Sequence, residues 1–399
     1  MSRRKLGRRR APRPHHHVVL KVILASQLCL AILTATTVVL AYRHLNGNID
    51  GEDLSAQVTV DPVKMKVEGP KEPLNILVMG SDNRDGAGND IDGLTGGGQR
   101  SDTTILIHIS ADRKDAYAVS IPRDLMVPRP ECRGSDGASI PGADIDIFNA
   151  AFSLGGPACT ISTIGALTGV HIDHWVVVDF HGFEGMVDAV GGVEVCIPRE
   201  VDDREHGIFF NAGTQVLKGR EALNYVRERY VLSANSDIGR MKRQQAFMAS
   251  MINKVFSAGT LSRPDRVFRF LNAATSSLTV DKGLENVGKL VDLAGEFSDT
   301  GLSNIRFVTV PFTTYEPDPN RLALLPAAKE LWRRIRLDEP LGRQFSSSSI
   351  SAAAPPGTTP TTGPSATPSD GSSPSASPTE GATTSAEARA EALANGLCA

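Results

Sequence analysis

The chain has 399 residues, 41% of them hydrophobic and 22% charged, so it can bury a sizeable core in one large domain or two small ones. Its formal net charge is −3, although residues 1–14 contribute +7 and the remainder therefore sums to −10. A nucleic-acid-binding protein would carry its positive charge on the folded part, so this distribution argues against a nucleic-acid partner.

The first predicted element is a membrane-spanning helix. The run from Val22 to Tyr42 contains 21 residues without a charge, which is long enough to cross the hydrocarbon core of a bilayer. The positive-inside rule places the basic tail at 1–17 in the cytoplasm and everything after the anchor at 18–42 outside. A cleaved signal peptide is the alternative, but its apolar region is usually shorter. We therefore expect a single-pass protein of the cytoplasmic membrane with an extracytoplasmic domain.

Two polar segments frame the middle of the chain. Residues 43–72 are polar and contain proline, and we expect them to form an extracytoplasmic linker. Residues 343–399 are rich in Ser, Thr, Pro, Gly and Ala, and such a segment buries too little apolar surface to compensate for its ordering entropy. We expect this segment to be a disordered tail, which leaves 73–342 as the folded domain.

The region between these segments alternates strand and helix patterns. Runs rich in Ile and Val, typical of strands that are buried on both faces, lie at 74–80, 103–110, 115–122, 171–180 and 305–311. Helical patterns lie at 145–155, 157–168, 181–190, 219–227, 237–257, 282–297 and 323–335. This alternation predicts an α/β fold in which helices cover both faces of a sheet.

Four cysteines would lie outside the membrane, where disulfides persist. We favour a bridge between Cys132 and Cys159, although four cysteines allow three pairings and the sequence does not select among them. Free thiols are the alternative, with Cys196 buried in an apolar strand. No Cys or His spacing resembles a zinc site.

Charged residues cluster where the predicted strands begin and end. They are Asp82 and Arg84 after the first strand, Arg100 and Asp102 before the second, and Arg123 and Asp124 after the third. Loops at strand ends line the ligand crevice in sheets of this class. Carboxylates there suit a hard divalent cation that bridges phosphate oxygens, and arginines suit the remaining oxygens. Taken singly, each Asp–Arg pair is equally an ordinary surface pair worth about 0–1 kcal/mol.

A second basic cluster, NYVRERYVLSANSDIGRMKRQQ, spans residues 224–245. On a regular helix Arg227 and Arg229 would point about 200° apart, whereas alternate residues of an extended backbone share a face. The two arginines can therefore face one ligand only if the preceding helix ends near Val226 and the chain straightens.

Downstream of this point the sequence predicts a long amphipathic helix, with Asp237 as its N-cap. Arg240, Arg243 and Gln244 are spaced to form one edge of this helix near its positively polarised end. That end attracts anions, so the edge is a candidate phosphate-binding surface.

These residues occur in blocks that resemble the LytR–CpsA–Psr proteins of Gram-positive bacteria. The blocks include NILVMGSDNR, RSDTTILIHI, SIPRD, GTQVLKGREALNYVRERY and DIGRMKRQQ, and they run from about Leu74 to Val255. One block alone would be weak evidence, but their shared order is specific. The resemblance implies a mixed central β-sheet flanked by helices on both faces, preceded by a transmembrane helix.

What the resemblance implies about function is an extracytoplasmic phosphotransferase. Such enzymes take a glycopolymer from a polyprenyl-pyrophosphate carrier and join it, through a phosphodiester, to a peptidoglycan hydroxyl. Teichoic acid, capsule and arabinogalactan all remain open as the polymer. The Ala- and Gly-rich composition and the extra cysteines look actinobacterial, which favours arabinogalactan or another actinobacterial wall polymer.

The resemblance also assigns roles to residues. The metal positions, for Mg²⁺ or Mn²⁺, fall on Asp82 and Asp102. The pyrophosphate-binding positions fall on Arg100, Arg123, Arg227, Arg229, Arg240 and Gln244. The residues expected to act in catalysis are Arg100, Asp102, Arg123, Arg227 and Arg229. Arg243 is interpreted as a solvent-facing neighbour, and no general base is evident.

Two other functions would use the same residues. One is a membrane-anchored receptor that binds polyprenyl-pyrophosphate glycans without turnover and has a regulatory role. The other is a pyrophosphate hydrolase, in which water replaces the sugar hydroxyl. A pure binder needs the arginines but not the pair Asp82 and Asp102, so this pair favours metal-assisted transfer.

Overall fold

The computed structural model describes residues 16–82, 101–229, 231–233, 236–357 and 381–398. The chain divides into two units, the first ending at Gly47 and the second beginning at Asn48. The first unit is a long helix, α1 (His16–Asn48). From Val18 onward this helix is long and apolar enough to cross a membrane, and its apolar 18-residue window has a mean hydropathy of 2.2 and no buried residue. The predicted helix at 18–42 is confirmed.

The second unit contains the strands and the remaining helices. Within the described ranges the strands are β1 (Asp50–Glu52), β2 (Leu74–Ser81), β3 (Ser101–Ile109), β4 (Ala116–Ile121), β5 (Met126–Arg129), β6 (Cys132–Arg133), β7 (Ser139–Ile140), β8 (Ala143–Ile147), β9 (His174–Val178), β10 (Val193–Ile197), β11 (Val201–Asp203), β12 (Ile208–Phe210), β13 (Gly213–Leu217), β14 (Leu278–Asp281), β15 (Ile305–Thr309), β16 (Phe312–Tyr315), β17 (Asp318–Leu324) and β18 (Ile350–Ser351). The helices are α2 (Phe148–Thr168), α3 (Phe180–Ala189), α4 (Gly219–Arg227), α5 (Ser236–Val255), α6 (Ala258–Leu261), α7 (Pro264–Thr275), α8 (Val287–Thr300), α9 (Ala327–Arg336), α10 (Arg343–Ser346) and α11 (Gly381–Ala394).

Eight strands form a central mixed sheet in the order β1-β14-β9-β2-β3-β4-β15-β18. Three neighbouring pairs are parallel, namely β1 with β14, β2 with β9 and β4 with β15. The other neighbours run antiparallel. The five predicted strands occupy the middle of this sheet, and the predicted α/β class with a mixed sheet is confirmed.

Helices cover both faces of the sheet because its strands are apolar on both sides. Along β2, Leu77 and Met79 face a core cluster that includes residues of α2 and α9. The intervening Ile76 and Val78 face a second cluster, to which α5 and α8 contribute. This alternation follows from the two-residue period of a strand. Helix α2 is also long and apolar, but 56% of it is buried in the core, which accounts for its composition.

A third core cluster lies beside the sheet and fixes the end of α4. It joins α3, α4 and the hairpins β10–β13 and β11–β12 to the apolar side of α5. Tyr225 of α4 packs at 6.3 Å from Phe247 of α5 and at 6.1 Å from Phe210, measured between ring centroids. Aromatic contacts at such distances are favourable beyond the area that they bury. The cluster therefore holds the last turn of α4 against α5.

The prediction that residues 43–72 form a polar linker is wrong. Strand β1 pairs with β14 and forms one edge of the central sheet. Leu54 is buried in the main core, and the Thr59 N–H donates to Ser162 Oγ at 2.9 Å. Lys64 forms an ion pair with Asp173. The segment packs along the domain because Leu54 is buried in the core and Thr59 and Lys64 have polar partners there.

The prediction of a disordered tail at 343–399 is wrong at both ends of that range. Strand β18 pairs with β15 in the central sheet, and Phe345, Ile350 and Ala352 are buried. At the other end, α11 is followed by the buried Leu397. A few apolar residues therefore anchor a segment whose average composition is polar. Residues 358–380 lie outside the described ranges.

Two disulfides cross-link the second unit. The predicted bridge between Cys132 and Cys159 is confirmed and joins β6 to α2. The alternative of a free Cys196 is wrong, because Cys196 of β10 is bonded to Cys398. The second bridge attaches the segment after α11 to the domain.

Candidate functional site

A cleft opens where β3 begins, β4 ends and α5 begins. It encloses about 430 Å³, part of which is open to solvent. Its charged and polar lining includes Asp102, Arg123, Asp124, Asp237, Arg240 and Gln244. The start of β3 and the end of β4 are adjacent because the two strands are antiparallel neighbours. The sheet thus brings together two of the predicted strand-end loops.

Asp102 connects two of the predicted arginines. Its Oδ1 accepts a hydrogen bond from Arg123 Nη1 at 2.8 Å, and its Oδ2 accepts one from Arg229 Nη2 at 3.1 Å. Burial would raise the pKa of Asp102, but the guanidinium groups of Arg240, Arg123 and Arg229 outweigh burial and lower this pKa. Asp102 is therefore a stable anion at neutral pH.

Asp237 is the second carboxylate of the cluster. Its oxygens lie 3.0 Å from Arg240 Nη2, 3.3 Å from Arg123 Nη2 and 3.7 Å from Arg229 Nε. The prediction that Asp237 caps α5 is wrong, because the helix begins at Ser236 and Asp237 lies in its first turn. The three guanidinium groups, rather than the helix N–H groups, hold this carboxylate.

The predicted break in the basic cluster is confirmed. Helix α4 ends at Arg227, and Glu228 has φ −58° and ψ 137°, which is an extended conformation. Beyond this break Arg229 reaches Asp102, as described above. The Arg227 guanidinium lies 4.8 Å from the centre of the Phe180 ring at the start of α3. This cation–π contact holds Arg227 beside α3.

Arg240 is buried, with 3% of its surface exposed, and its Nε has no hydrogen-bond partner among the described residues. Burial and then the nearby Arg229 lower the pKa of Arg240 to about 10, so it stays protonated at neutral pH. Gln244 donates from Nε2 to the Val226 carbonyl at 3.1 Å and lines the cleft. The structure thus places both predicted residues at the site.

The interpretation of Arg243 as a solvent-facing neighbour is wrong. Arg243 is fully buried, and its Nη2 lies 3.3 Å from the Glu228 carboxylate. Residues 240 and 243 share a helix edge, but the loop after α4 covers Arg243 while the cleft exposes the neighbourhood of Arg240.

One residue of the network was not predicted. Arg321, on β17, donates from Nη1 to Asp124 Oδ1 at 2.7 Å. The other oxygen of Asp124 accepts from Arg123 Nε at 3.1 Å. Arg321 follows Asp124 by 197 residues, and no motif surrounds it, so no sequence signal could have identified it.

Three predicted residues remain, Asp82, Arg84 and Arg100, all between β2 and β3 in the sequence. Arg84 and Arg100 lie outside the described residues. Asp82 follows β2 directly and is half-buried. Because Ser81 pairs with Ser101, Asp82, which follows β2, and Asp102, the second residue of β3, lie at the same end of the two strands.

A divalent cation at the cleft would have few ligands from the protein. No group of three or more His, Cys, Asp or Glu suited to a metal occurs among the described residues. Mg²⁺ is usually held by only one or two carboxylates, with water and substrate phosphate completing its shell. Asp82 and Asp102 therefore fit a cation shared with a phosphate ligand and do not fit a site built by protein alone.

The role of Asp237 in the charge cluster can be tested by pH. Burial raises the pKa of Asp237, but the guanidinium groups of Arg240, Arg123 and Arg229 outweigh it and lower the pKa. A lowered folded-state pKa contributes stability above the unfolded value of about 4, and this contribution is lost as the pH falls through the folded value. We expect Asp237→Asn to be less stable than the unmodified chain at neutral pH, and the difference to shrink below about pH 4.

Thermal unfolding at neutral and acidic pH measures this difference. Asparagine caps a helix as well as aspartate does. Equal stability of the two chains at neutral pH would therefore contradict the charge-cluster interpretation and favour a capping role.

The sequence of this chain is similar to those of known proteins. The model of the LytR_cpsA_psr family matches residues 41–329. The cell wall biosynthesis protein LcpA of Corynebacterium glutamicum is 34% identical over 266 residues, which are 61% of this chain and 50% of LcpA. TagV of Bacillus subtilis, named a polyisoprenyl-teichoic acid–peptidoglycan teichoic acid transferase, is 28% identical over 257 residues, 63% of this chain and 61% of TagV. The chain thus spans about half the length of LcpA.

Two solved structures share the fold. The structure of TagT bound to LIIa-WTA matches with a TM-score of 0.52 and 24% identity, over 70% of this chain and 96% of TagT. The LytR-Csp2A-Psr enzyme from Actinomyces oris matches with a TM-score of 0.56 and 19% identity, over 72% of this chain and 96% of that enzyme.

Proposed function

The chain belongs to the LytR_cpsA_psr family, and from this membership we propose that it transfers a glycopolymer from a polyprenyl-pyrophosphate carrier to a peptidoglycan hydroxyl. The names of LcpA and TagV support a role in glycopolymer transfer to the cell wall. The observation that carries the proposal is the convergence of Arg123, Arg229 and Arg240 on one cleft.

The electrostatics of the cleft suit a phosphate-rich ligand. Four arginines, Arg123, Arg229, Arg240 and Arg321, face three carboxylates, Asp102, Asp124 and Asp237. The Arg240 Nε–H is buried without a partner among the described residues, and such a donor is costly unless a ligand accepts from it. A pyrophosphate would supply both the negative charge and the acceptor oxygens.

This arrangement supports the following transfer reaction. The hydroxyl oxygen of peptidoglycan attacks the phosphorus that carries the glycan, and the bond from this phosphorus to the bridging oxygen breaks. Polyprenyl phosphate leaves, the hydroxyl proton is released, and a phosphodiester links glycan to peptidoglycan. Negative charge accumulates on the non-bridging and leaving oxygens. Preorganised guanidinium groups stabilise this charge in the transition state.

The carboxylates have an organising role in this scheme. The lowered pKa values of Asp102 and Asp237 make both residues weak bases. Instead, each holds at least two arginines in place, so that the cleft is ordered before the substrate arrives. When bound, Mg²⁺ or Mn²⁺ would neutralise charge on the phosphate oxygens, with Asp82 and Asp102 as its ligands.

The proposed location follows from α1 and its flank. The apolar helix suits a single membrane anchor. The basic residues of 1–17 favour a cytoplasmic N-terminus, which would place the cleft on the outer side of the membrane, where peptidoglycan lies.

The proposal is tested with the full chain in detergent, a lipid-linked glycopolymer and peptidoglycan strands. We expect mass spectrometry to detect a phosphodiester between the polymer and a peptidoglycan sugar. Release of free phosphorylated polymer without this adduct would establish a hydrolase instead. Binding of the lipid-linked polymer without any product would establish a receptor.

The same assay also tests the role of a divalent metal. We expect excess chelator to suppress the adduct and added Mg²⁺ or Mn²⁺ to restore it. Unchanged product in excess chelator would remove the metal role from Asp82 and Asp102.

A further inference from the structure

Glu228 lies between Arg227 and Arg229 and is oriented away from the cleft. Only 2% of its surface is exposed. Its carboxylate accepts hydrogen bonds from the N–H groups of Val231 at 2.6 Å and Leu232 at 3.1 Å. Arg243 Nη2 lies 3.3 Å from the same carboxylate and also donates to the Glu228 carbonyl oxygen.

This arrangement has a consequence for the two neighbouring arginines. In an extended segment, side chains alternate between two faces. Arg229 pairs with Asp102 in the cleft, whereas Glu228, one residue earlier on extended backbone, is fixed in the interior. Arg227 is the last residue of α4, so the backbone conformation at Glu228 also sets how far apart Arg227 and Arg229 lie.

The C-terminal segment covers this ion pair. A Cβ atom added at Gly396, whose φ is +72°, would lie 2.6 Å from the Leu232 carbonyl oxygen and 3.1 Å from Arg243 Nη1. Asn395 and Leu397 are buried on either side of it. Glycine is required here because the segment passes close to the loop in a left-handed conformation. This close contact keeps the pair formed by Glu228 and Arg243 away from water.

Stability alone does not explain such a pair. Replacing a buried ion pair with apolar residues of similar size is often neutral or stabilising, whereas removing one partner is strongly destabilising. A buried pair that fixes the conformation of a functional loop instead favours ligand binding, because less of the loop has to reorganise when the ligand binds.

We propose that Glu228 is a positioning residue, and that its buried pair with Arg243 holds Arg227 and Arg229 on the cleft side for an anionic phosphate ligand. The ligand's identity as a polyprenyl pyrophosphate rests on the proposed function. The positioning itself does not, because inorganic pyrophosphate probes the same guanidinium groups without any transfer step.

The test uses the full chain and three sets of variants. The first is the apolar pair Glu228→Leu with Arg243→Met, which removes both charges together and so avoids an unpaired buried charge. The second is Arg227→Ala with Arg229→Ala, and the third combines all four changes. Calorimetric titration with inorganic pyrophosphate measures affinity, and thermal unfolding measures stability.

We expect the apolar pair to remain folded but to unfold at a lower temperature, because the N–H groups of Val231 and Leu232 lose their acceptor. We expect it to bind pyrophosphate roughly tenfold more weakly. On the background of Arg227→Ala with Arg229→Ala, the same pair should change affinity less than about twofold, because a positioning residue acts through the residues that it positions. Unchanged affinity in the first variant would overturn the proposal, as would an equal loss on both backgrounds.

Different results would contradict the proposed function and the positioning role of Glu228. An unmodified chain that binds pyrophosphate but transfers no polymer would contradict the proposed function and leave the positioning result intact. An unmodified chain that does not bind pyrophosphate would overturn the anion site and the positioning role together.

Discussion

Replacing Arg229 with alanine should lower kcat/KM for polymer transfer by about two to three orders of magnitude and leave the fold intact. Its guanidinium donates to Asp102 and lies near Asp237, so its loss removes a preorganised charge from the cleft. The side chain is 28% exposed and its described partners are carboxylates, so its loss opens no cavity in an apolar cluster. Transfer kinetics and thermal unfolding of the full chain measure the two effects separately.

The chain offers a matched control for this change. Arg220 lies on α4, pairs with Glu184 at 2.8 Å, and does not line the cleft. Arg220→Ala should retain the transfer rate. Arg229→Lys is informative as well, because lysine keeps the charge but lacks the planar bidentate geometry of arginine. A normal rate in Arg229→Ala would remove this residue from the site.

The second large effect concerns stability. Removing the bridge between Cys196 and Cys398 should lower the free energy of unfolding by about 5 kcal/mol, against about 3.5 kcal/mol for the bridge between Cys132 and Cys159. The difference arises because the first bridge spans 202 residues and the second spans 27. A longer closed loop removes more conformational entropy from the unfolded chain. Denaturant unfolding of the two double-serine variants measures both values.

The comparison contains its own control, since both variants remove one disulfide and add the same two hydroxyl groups. A smaller loss for Cys196→Ser with Cys398→Ser than for Cys132→Ser with Cys159→Ser would contradict the entropic prediction. It would indicate that the segment after α11 contributes little once the bond is absent.

The sequence predicted the centre of the sheet because strands buried on both faces are continuous apolar runs. It did not predict the edge strands β1 and β18 or β14 beside β1, which have two to four residues and no measurable periodicity. Their pairing is decided by tertiary contacts rather than by local pattern. The same reason explains why the polar segments that contain β1 and β18 were interpreted as a linker and a tail.

The sequence predicted best those features of the site that depend on local backbone geometry. Arg227 and Arg229 can share a face only if α4 ends between or before them, and this requirement predicted where the helix ends. The structure places that end at Arg227. Asp237, Arg243 and Arg321 were assigned wrongly or missed, because their partners come from distant parts of the chain. The sequence shows which residues share an edge of a helix. It does not show whether that edge faces a cleft or is covered by a loop.

The bond between Cys196 and Cys398 also limits how far residues 358–380 can extend. This stretch is attached at one end to the segment that follows β18 and at the other to α11, and both attachments belong to the same folded unit. A free tail of about fifty residues could reach roughly 160 Å from the folded unit, whereas a stretch of this length that is attached at both ends can reach no farther than about 40 Å. A single break in its backbone would leave both pieces covalently joined for as long as the surroundings stay oxidising.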